Sequence, residues 1–147
     1  MLTLRPAVAG DQERIVEIIR AAQINPMDLK WKNFVVAEDS ATRQVVATGQ
    51  IKTHGDKSRE LASIAVIPEY RGQGLARRLI EHLLAESTGA LYLTCRSPLG
   101  ALYEKFGFRA VGPSEMTPYF RRLSKVAATF MFLARAGETL LVMKRDG

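Results

Sequence analysis

An α+β domain built around a mixed sheet is the fold class that the sequence predicts, and three patterns predict it. Two β-branched runs divided by turn-forming residues, Phe34 to Ala37 and Val45 to Lys52, are followed by a third, Arg59 to Ile67. From Gln73 onward, Leu75, Leu79, Ile80, Leu83 and Leu84 recur at helical spacing, with Arg77, Arg78, Glu81 and Glu86 on the opposite side. Strand-like and helix-like segments then alternate without an internal repeat, a low-complexity tract or a long Ser/Pro/Gly linker, so residues 1–147 read as one domain.

Taken in order, Leu2 to Arg5 is a short β-like entry. "GDQERIVEIIRAA" then places Ile15, Ile18 and Ile19 at helical spacing, with Asp11 as N-cap. Asp39, Ser40 and Thr42 favour the turn of a hairpin between the first two β-branched runs. "THGDK" makes a second turn at Gly55 and Asp56, and the third run ends at Pro68, where a ladder N–H is lost. That completes an antiparallel meander ahead of the helix at Gln73. "GALYLTC" reads as a strand, Pro98 to Lys105 as a helix stopping at Gly107, and Phe108 to Val111 as a further β run. A second proline-started helix runs from Pro118 to about Ala128. In "FMFLARAGETLLVMK" Gly137 divides two runs that pair as a terminal hairpin in this reading.

Composition excludes several classes of protein. With 47% hydrophobic and 24% charged residues the chain is neither a disordered nor a disulfide-scaffold sequence. At 147 residues it is long enough to bury roughly 70% of the surface of its unfolded chain. No apolar run of about 18 residues and no secretory leader pattern is present, so a cytoplasmic protein without membrane association is expected. Cys95, His54 and His82 cannot assemble a closed zinc site, so no metal is expected. Cys95 reads as a buried, inert thiol, and His54 and His82 as solvated side chains. A net charge of +6 concentrates anions near the surface. Nucleic acid is not the expected partner, since only "YFRRLSK", Tyr119 to Lys125, joins basic and aromatic residues.

A loop suits an anion. "IPEYRGQGLARRLIEHLLAES" follows the apolar run "LASIAV", and its two glycines leave N–H groups uncovered at the start of a helix. It carries neither the third glycine of a dinucleotide motif nor the Gly-Lys-Ser/Thr of a P-loop. "Arg71-x-x-Gly74-x-Ala76" does resemble the pyrophosphate-binding signature of the GNAT superfamily of N-acetyltransferases, and "ALYEKFGF", Ala101 to Phe108, resembles the same family's later helix and strand. The resemblance spans about Leu2 to Val111; residues 113–147 are less typical.

It implies a layered α/β/α fold, with a mixed, mostly antiparallel central sheet and helices on both faces, and acetyl-CoA as cosubstrate. It assigns the pyrophosphate to Arg71, Gly72, Gln73, Gly74, Leu75, Ala76 and Arg77, and the pantetheine to the backbone of Ile64, Ala65 and Val66. Arg77 and Arg78 can equally be ordinary solvated helix charges. Tyr103 matches the family tyrosine that protonates the departing thiolate. An acceptor amine must lose a proton before attack, which calls for a carboxylate; Glu60 is the candidate, with Glu38, Glu69 and Glu104 open to the role.

Two departures bear on subfamily. Thr94 stands where relatives acetylating ribosomal-protein N-termini carry a glutamate, which disfavours that subfamily. Arg96 stands where many relatives have an asparagine. The acceptor is a small-molecule or peptide amine whose identity the sequence leaves open, and a homodimer is compatible with it. "INPMDLKWKNF" is expected to help shape the acceptor pocket, with Met27 and Trp31 read as packing residues. The competing class is a non-catalytic acyl-CoA-binding or regulatory module that holds a partner on the basic Tyr119 to Lys125 face.

Overall fold

A computed structural model describes residues 1–134 and 137–147, with side chains outside 128–136. The chain divides into two compact units, Met1–Lys52 with Leu61–Ser87 and Thr53–Glu60 with Thr88–Gly147. Its strands are β1 (Leu2–Pro6), β2 (Phe34–Asp39), β3 (Gln44–Thr53), β4 (Arg59–Val66), β5 (Leu91–Arg96), β6 (Arg109–Ala110) and β7 (Leu140–Arg145). Its helices are α1 (Gln12–Ala21), α2 (Leu75–Ala85), α3 (Gly100–Glu104) and α4 (Pro118–Ala134). The ladder order is β1-β2-β3-β4-β5-β7-β6. Pairing is parallel at β4–β5, where Glu60 faces Tyr92, and antiparallel at β1–β2, β2–β3, β5–β7 and β6–β7.

In the first unit the helices take opposite faces of the sheet. Ile15, Ile18 and Ile19 of α1 bury against Phe34, Val36, Val45 and Ala65. Ile64, the neighbour of Ala65, points the other way, because successive strand side chains alternate. There it approaches Gly49 together with Leu83 of α2: a Cβ added at Gly49 would lie 2.8 Å from Ile64 Cδ1 and 3.0 Å from Leu83 Cδ1. Glycine is therefore what lets α2 sit down on β3. Gly49→Val should overpack this layer and destabilise the protein by about 1–3 kcal/mol. A thermal melt checks it, and an unchanged midpoint would mean that the layer relaxes freely.

Asp11 precedes α1 as expected but does not cap it through its side chain. Its carboxylate instead accepts the Val8 N–H at 2.8 Å and pairs with Arg5 at 2.8 Å. The guanidinium holds this carboxyl below the usual carboxylate range despite partial burial. The β2–β3 register shifts at Ala37/Glu38, a bulge of the kind that re-aims side chains along a strand.

The second unit corrects the reading of the last segment. α4 continues to Ala134, through the apolar run read as a strand; the stretch from Ala127 to Ala134 holds Thr129 as its β-branched residue, while Ala, Met and Leu favour helix. Arg135 and Ala136, within the expected hairpin, lie outside the described residues. The remaining run forms β7, which pairs with β5 from Leu91↔Arg145 to Arg96↔Leu140 and with β6 at Arg109↔Lys144. Tyr92, Met116, Phe120 and Val142 form a buried cluster of this unit. The expected Pro98 helix is a 3-10 turn, Ser97–Leu99, running into α3, and the Phe108 run shortens to β6.

Candidate active site

The glycine loop leaves β4 through a 3-10 turn at Pro68–Tyr70. Its entry is fixed by local bonds: Arg71 Nε donates to the Val66 carbonyl at 2.9 Å, and Tyr70 Oη donates to Asp39 at 2.5 Å. Gly72 and Gly74 take left-handed φ values of 81° and 76°. A side chain in that region is strained, which is why glycine occupies both positions. A Cβ at either would meet nothing within 4 Å, so the turn presents bare backbone to open space. Gly74 is the N-cap of α2, and the ladder begins with Arg78 N–H on the Gly74 carbonyl at 3.1 Å. The N–H groups of Leu75, Ala76 and Arg77 thus precede the ladder and sit at the positive end of the helix dipole. Gln73 is exposed between the glycines.

The arginines of this loop are less free than the sequence suggests. Arg71 spends its Nε on Val66, and Arg77 reaches along the helix to Glu81 at 2.9 Å with both side chains largely exposed. Arg78 donates to the Leu2 carbonyl at 3.3 Å. What this turn leaves open is backbone N–H more than side chains.

β4 carries a feature that the sequence conceals. Ser63 adopts φ 60° in the middle of the strand, a conformation that costs a non-glycine residue of order 1 kcal/mol or more. Two buried polar side chains of β3 hold it: Thr48 Oγ1 donates to the Ser63 carbonyl at 2.9 Å, and Gln50 Nε2 donates to Ser63 Oγ at 2.8 Å. Ile64, Ala65 and Val66 follow this kink; with Ala65 in the α1 core and Ile64 against Gly49, what they can offer a ligand is backbone. The only hint in the sequence was two polar residues, Thr48 and Gln50, inside an otherwise apolar run.

In the second unit Glu60, the candidate base, is buried at 5% exposure. His54 Nε2 lies 2.7 Å from its Oε1, and both side chains are buried. This corrects the reading of His54 as solvated: its ring stacks on Tyr119 at 3.6 Å between centroids and meets the edge of Phe120 at 5.5 Å. Asp56 ties the turn down: its carboxylate accepts from Ser58 Oγ at 2.5 Å and from the Tyr119 N–H, at the start of α4, at 2.9 Å. Those bonds, Ser58 first, hold Asp56 well below the usual carboxylate range. The other carboxylates considered as bases differ: Glu38 is committed to Arg5 at 2.9 Å, and Glu69 and Glu104 are exposed.

Tyr103 sits on α3 with its ring edge-on to Phe108, 6.3 Å between centroids. Burial raises its phenol above the ordinary value, with a smaller push from Cys95, so near neutral pH it keeps its proton and can donate one. Cys95 is buried and its thiol is likewise raised by burial, which suits packing and not nucleophilic attack. Thr94 faces Val142 across the β5–β7 ladder.

A mixed sheet with a kinked strand leading into a glycine turn at a helix start defines the acyl-CoA N-acyltransferase class of fold. A family model described as an acetyltransferase (GNAT) domain matches residues 30–110, more than half of the chain, and the chain belongs to that family. A search of curated proteins finds no significant match. Among solved structures, N-acetylglutamate synthase from Neisseria gonorrhoeae, in complex with coenzyme A and N-acetyl-glutamate, is similar with a TM-score of 0.74 at 18% identity, covering 99% of this chain and 35% of that one. This chain therefore spans about a third of that synthase. The ribosomal-protein-S18-alanine N-acetyltransferase from Escherichia coli is similar with a TM-score of 0.69 at 21% identity, covering 99% and 94% of the two chains. A Mycobacterium tuberculosis protein in complex with coenzyme A is similar with a TM-score of 0.73 at 15% identity over 99% of both chains. Among the described residues no helix is long and apolar enough to cross a membrane.

Proposed function

We propose that this protein transfers an acetyl group from acetyl-CoA to the primary amine of a small molecule or a peptide by direct attack. The observation that carries the reading is the bare left-handed turn Gly72 to Gly74 at the head of α2, in a chain of the acetyltransferase family. Its N–H groups receive the pyrophosphate, with Arg71 and Arg77 adding charge, and the backbone of Ile64 to Val66 holds the pantetheine arm.

The proton bookkeeping is simple. The acceptor arrives as an ammonium and gives one proton to the Glu60–His54 pair. The freed amine forms its N–C bond to the thioester carbonyl as the C–S bond breaks, and Tyr103 gives its phenolic proton to the sulfur. The second nitrogen proton then returns the phenol to its resting state through solvent, leaving an amide and free CoA thiol. Amino acids and peptide N-termini are the acceptor classes suggested by the named relatives.

Thiol release from acetyl-CoA, measured against L-glutamate, L-lysine, n-butylamine and an alanine-initiated tripeptide, tests the activity; no release with any of them would sink the reading. Tyr103→Phe should lower kcat by about 10²-fold while CoA affinity stays within a factor of two. An undiminished kcat would remove Tyr103 from the reaction. The competing partner-binding reading is weakened by Arg121, whose guanidinium is spent on the Pro113 and Met116 carbonyls at 3.2 and 2.8 Å.

A further inference from the structure

Gln50 is fully buried, and its carboxamide is only half satisfied. Nε2 donates to Ser63 Oγ at 2.8 Å and to the Asp28 carbonyl at 3.2 Å, while Oε1 is buried with no hydrogen-bond partner. Exchanging the two ends of the amide does not help, since oxygen would then face the Asp28 carbonyl, acceptor against acceptor. Buried acceptors without donors are rare in native proteins, and a ligand that brings the donor is one standing reason for keeping one.

The setting points to what that donor is. Gln50 stands directly opposite Phe34 in the β2–β3 ladder, and Phe34 packs with the α1 isoleucines, so the carboxamide lies on the α1 face of the sheet. It is next to Ser63, the residue whose left-handed kink precedes Ile64 to Val66. The segment above it, residues 23–28, is exposed except for the half-buried Ile24, and both its ends, Gln23 and Asp28, hold φ 57°. Gln12 ties the following residues down, donating to the Leu29 carbonyl at 2.5 Å and accepting the Trp31 N–H at 2.9 Å. Among the described bonds, Asp28 to Gln50 is what fastens segment 23–28 to β3. The partners printed by the geometry belong to Nε2, the Ser63 hydroxyl and the Asp28 carbonyl, so among the described residues Oε1 is the acceptor left for an incoming donor. A charged N–H makes a stronger bond to such an oxygen than a neutral one, and an ammonium is the donor that the proposed reaction brings.

We infer that Gln50 recognises an amine ligand: its Oε1 receives a hydrogen bond from a primary ammonium, which enters as segment 23–28 lifts at Asp28. This deepens the acetyl-transfer reading and rests on it for the identity of the ligand as an amine. Gln50 is a positioning and specificity residue and exchanges no proton.

The test is a titration of the ¹⁵N-labelled, CoA-saturated protein with n-butylammonium chloride, L-lysine, L-glutamate and an alanine-initiated tripeptide. It is run on wild type and Gln50→Leu, read at the side-chain amide of Gln50 in wild type and by calorimetry in both. At least one amine should shift the Gln50 amide saturably. Gln50→Leu should bind it about tenfold or more weakly at unchanged CoA affinity. No shift with any probe, or equal affinity in Gln50→Leu, would overturn the inference and assign the oxygen to a resident water. Amine binding at Gln50 without thiol release would leave this inference standing and sink the acetyl-transfer reading. Thiol release with a KM indifferent to Gln50→Leu would do the reverse.

Discussion

Glu60→Gln is expected to lower the rate of acetyl transfer by about 10² to 10⁴ while leaving CoA affinity within a factor of two. The size of the effect follows from what the substitution keeps. Glutamine is nearly isosteric, so the buried position, 5% exposed, stays filled. Its side-chain oxygen can still accept from His54 Nε2, the partner 2.7 Å away in the native protein. What disappears is the negative charge, and with it the site where an ammonium can leave its proton. Buried without charge, the variant should fold at least as well as the parent, so lost rate cannot be assigned to lost structure; a circular dichroism melt beside the steady-state assay makes that separation. A variant with full kcat would mean that Glu60 and His54 merely pin the turn between β3 and β4. The base would then have to be sought among exposed carboxylates such as Glu69 and Glu104.

Gly74→Glu should weaken CoA binding by about 100-fold or more, equivalent to about 2.7 kcal/mol. Three effects combine. Glutamate at φ 76° is strained where glycine is not. Its side chain meets no protein atom, so it projects into the space that the turn leaves open. Its charge then opposes the pyrophosphate at the helix start, where the unbonded N–H groups otherwise attract it. A carboxylate near a helix N-terminus is itself favourable for the helix, which offsets part of the strain and keeps the variant folded. Calorimetric titration with acetyl-CoA decides: equal affinities would place the anion away from this turn, and a wild type that does not bind would remove CoA from the reading altogether.

Local signals made the meander, the glycine loop and α2 legible, because each is a contiguous pattern with its own punctuation. The left-handed glycines at positions 72 and 74 could be foreseen, since only their backbone freedom explains them. The kink at Ser63 could not, because serine in "LASIAV" looks like any strand residue and its conformation is imposed by Thr48 and Gln50 from the neighbouring strand. Glu60 was legible as a carboxylate at a strand start, but its burial was not: the His54 contact depends on how the turn folds back and on Tyr119, far along the chain. The last segment was misread because Phe, Met and Leu pack equally well from a helix or a strand, and nothing local says that β7 slips between β5 and β6.

That interposed strand also sets an order of events during synthesis. β5 and β6 are made first, yet each finds its antiparallel partner in β7, at Leu140–Arg145. The nascent chain must hold an open strand edge and the apolar residues of Tyr92 and Phe120 until translation has passed Arg145. The second unit therefore keeps an unpaired edge longer than the first, and an unpaired edge with apolar neighbours is where misassembly starts.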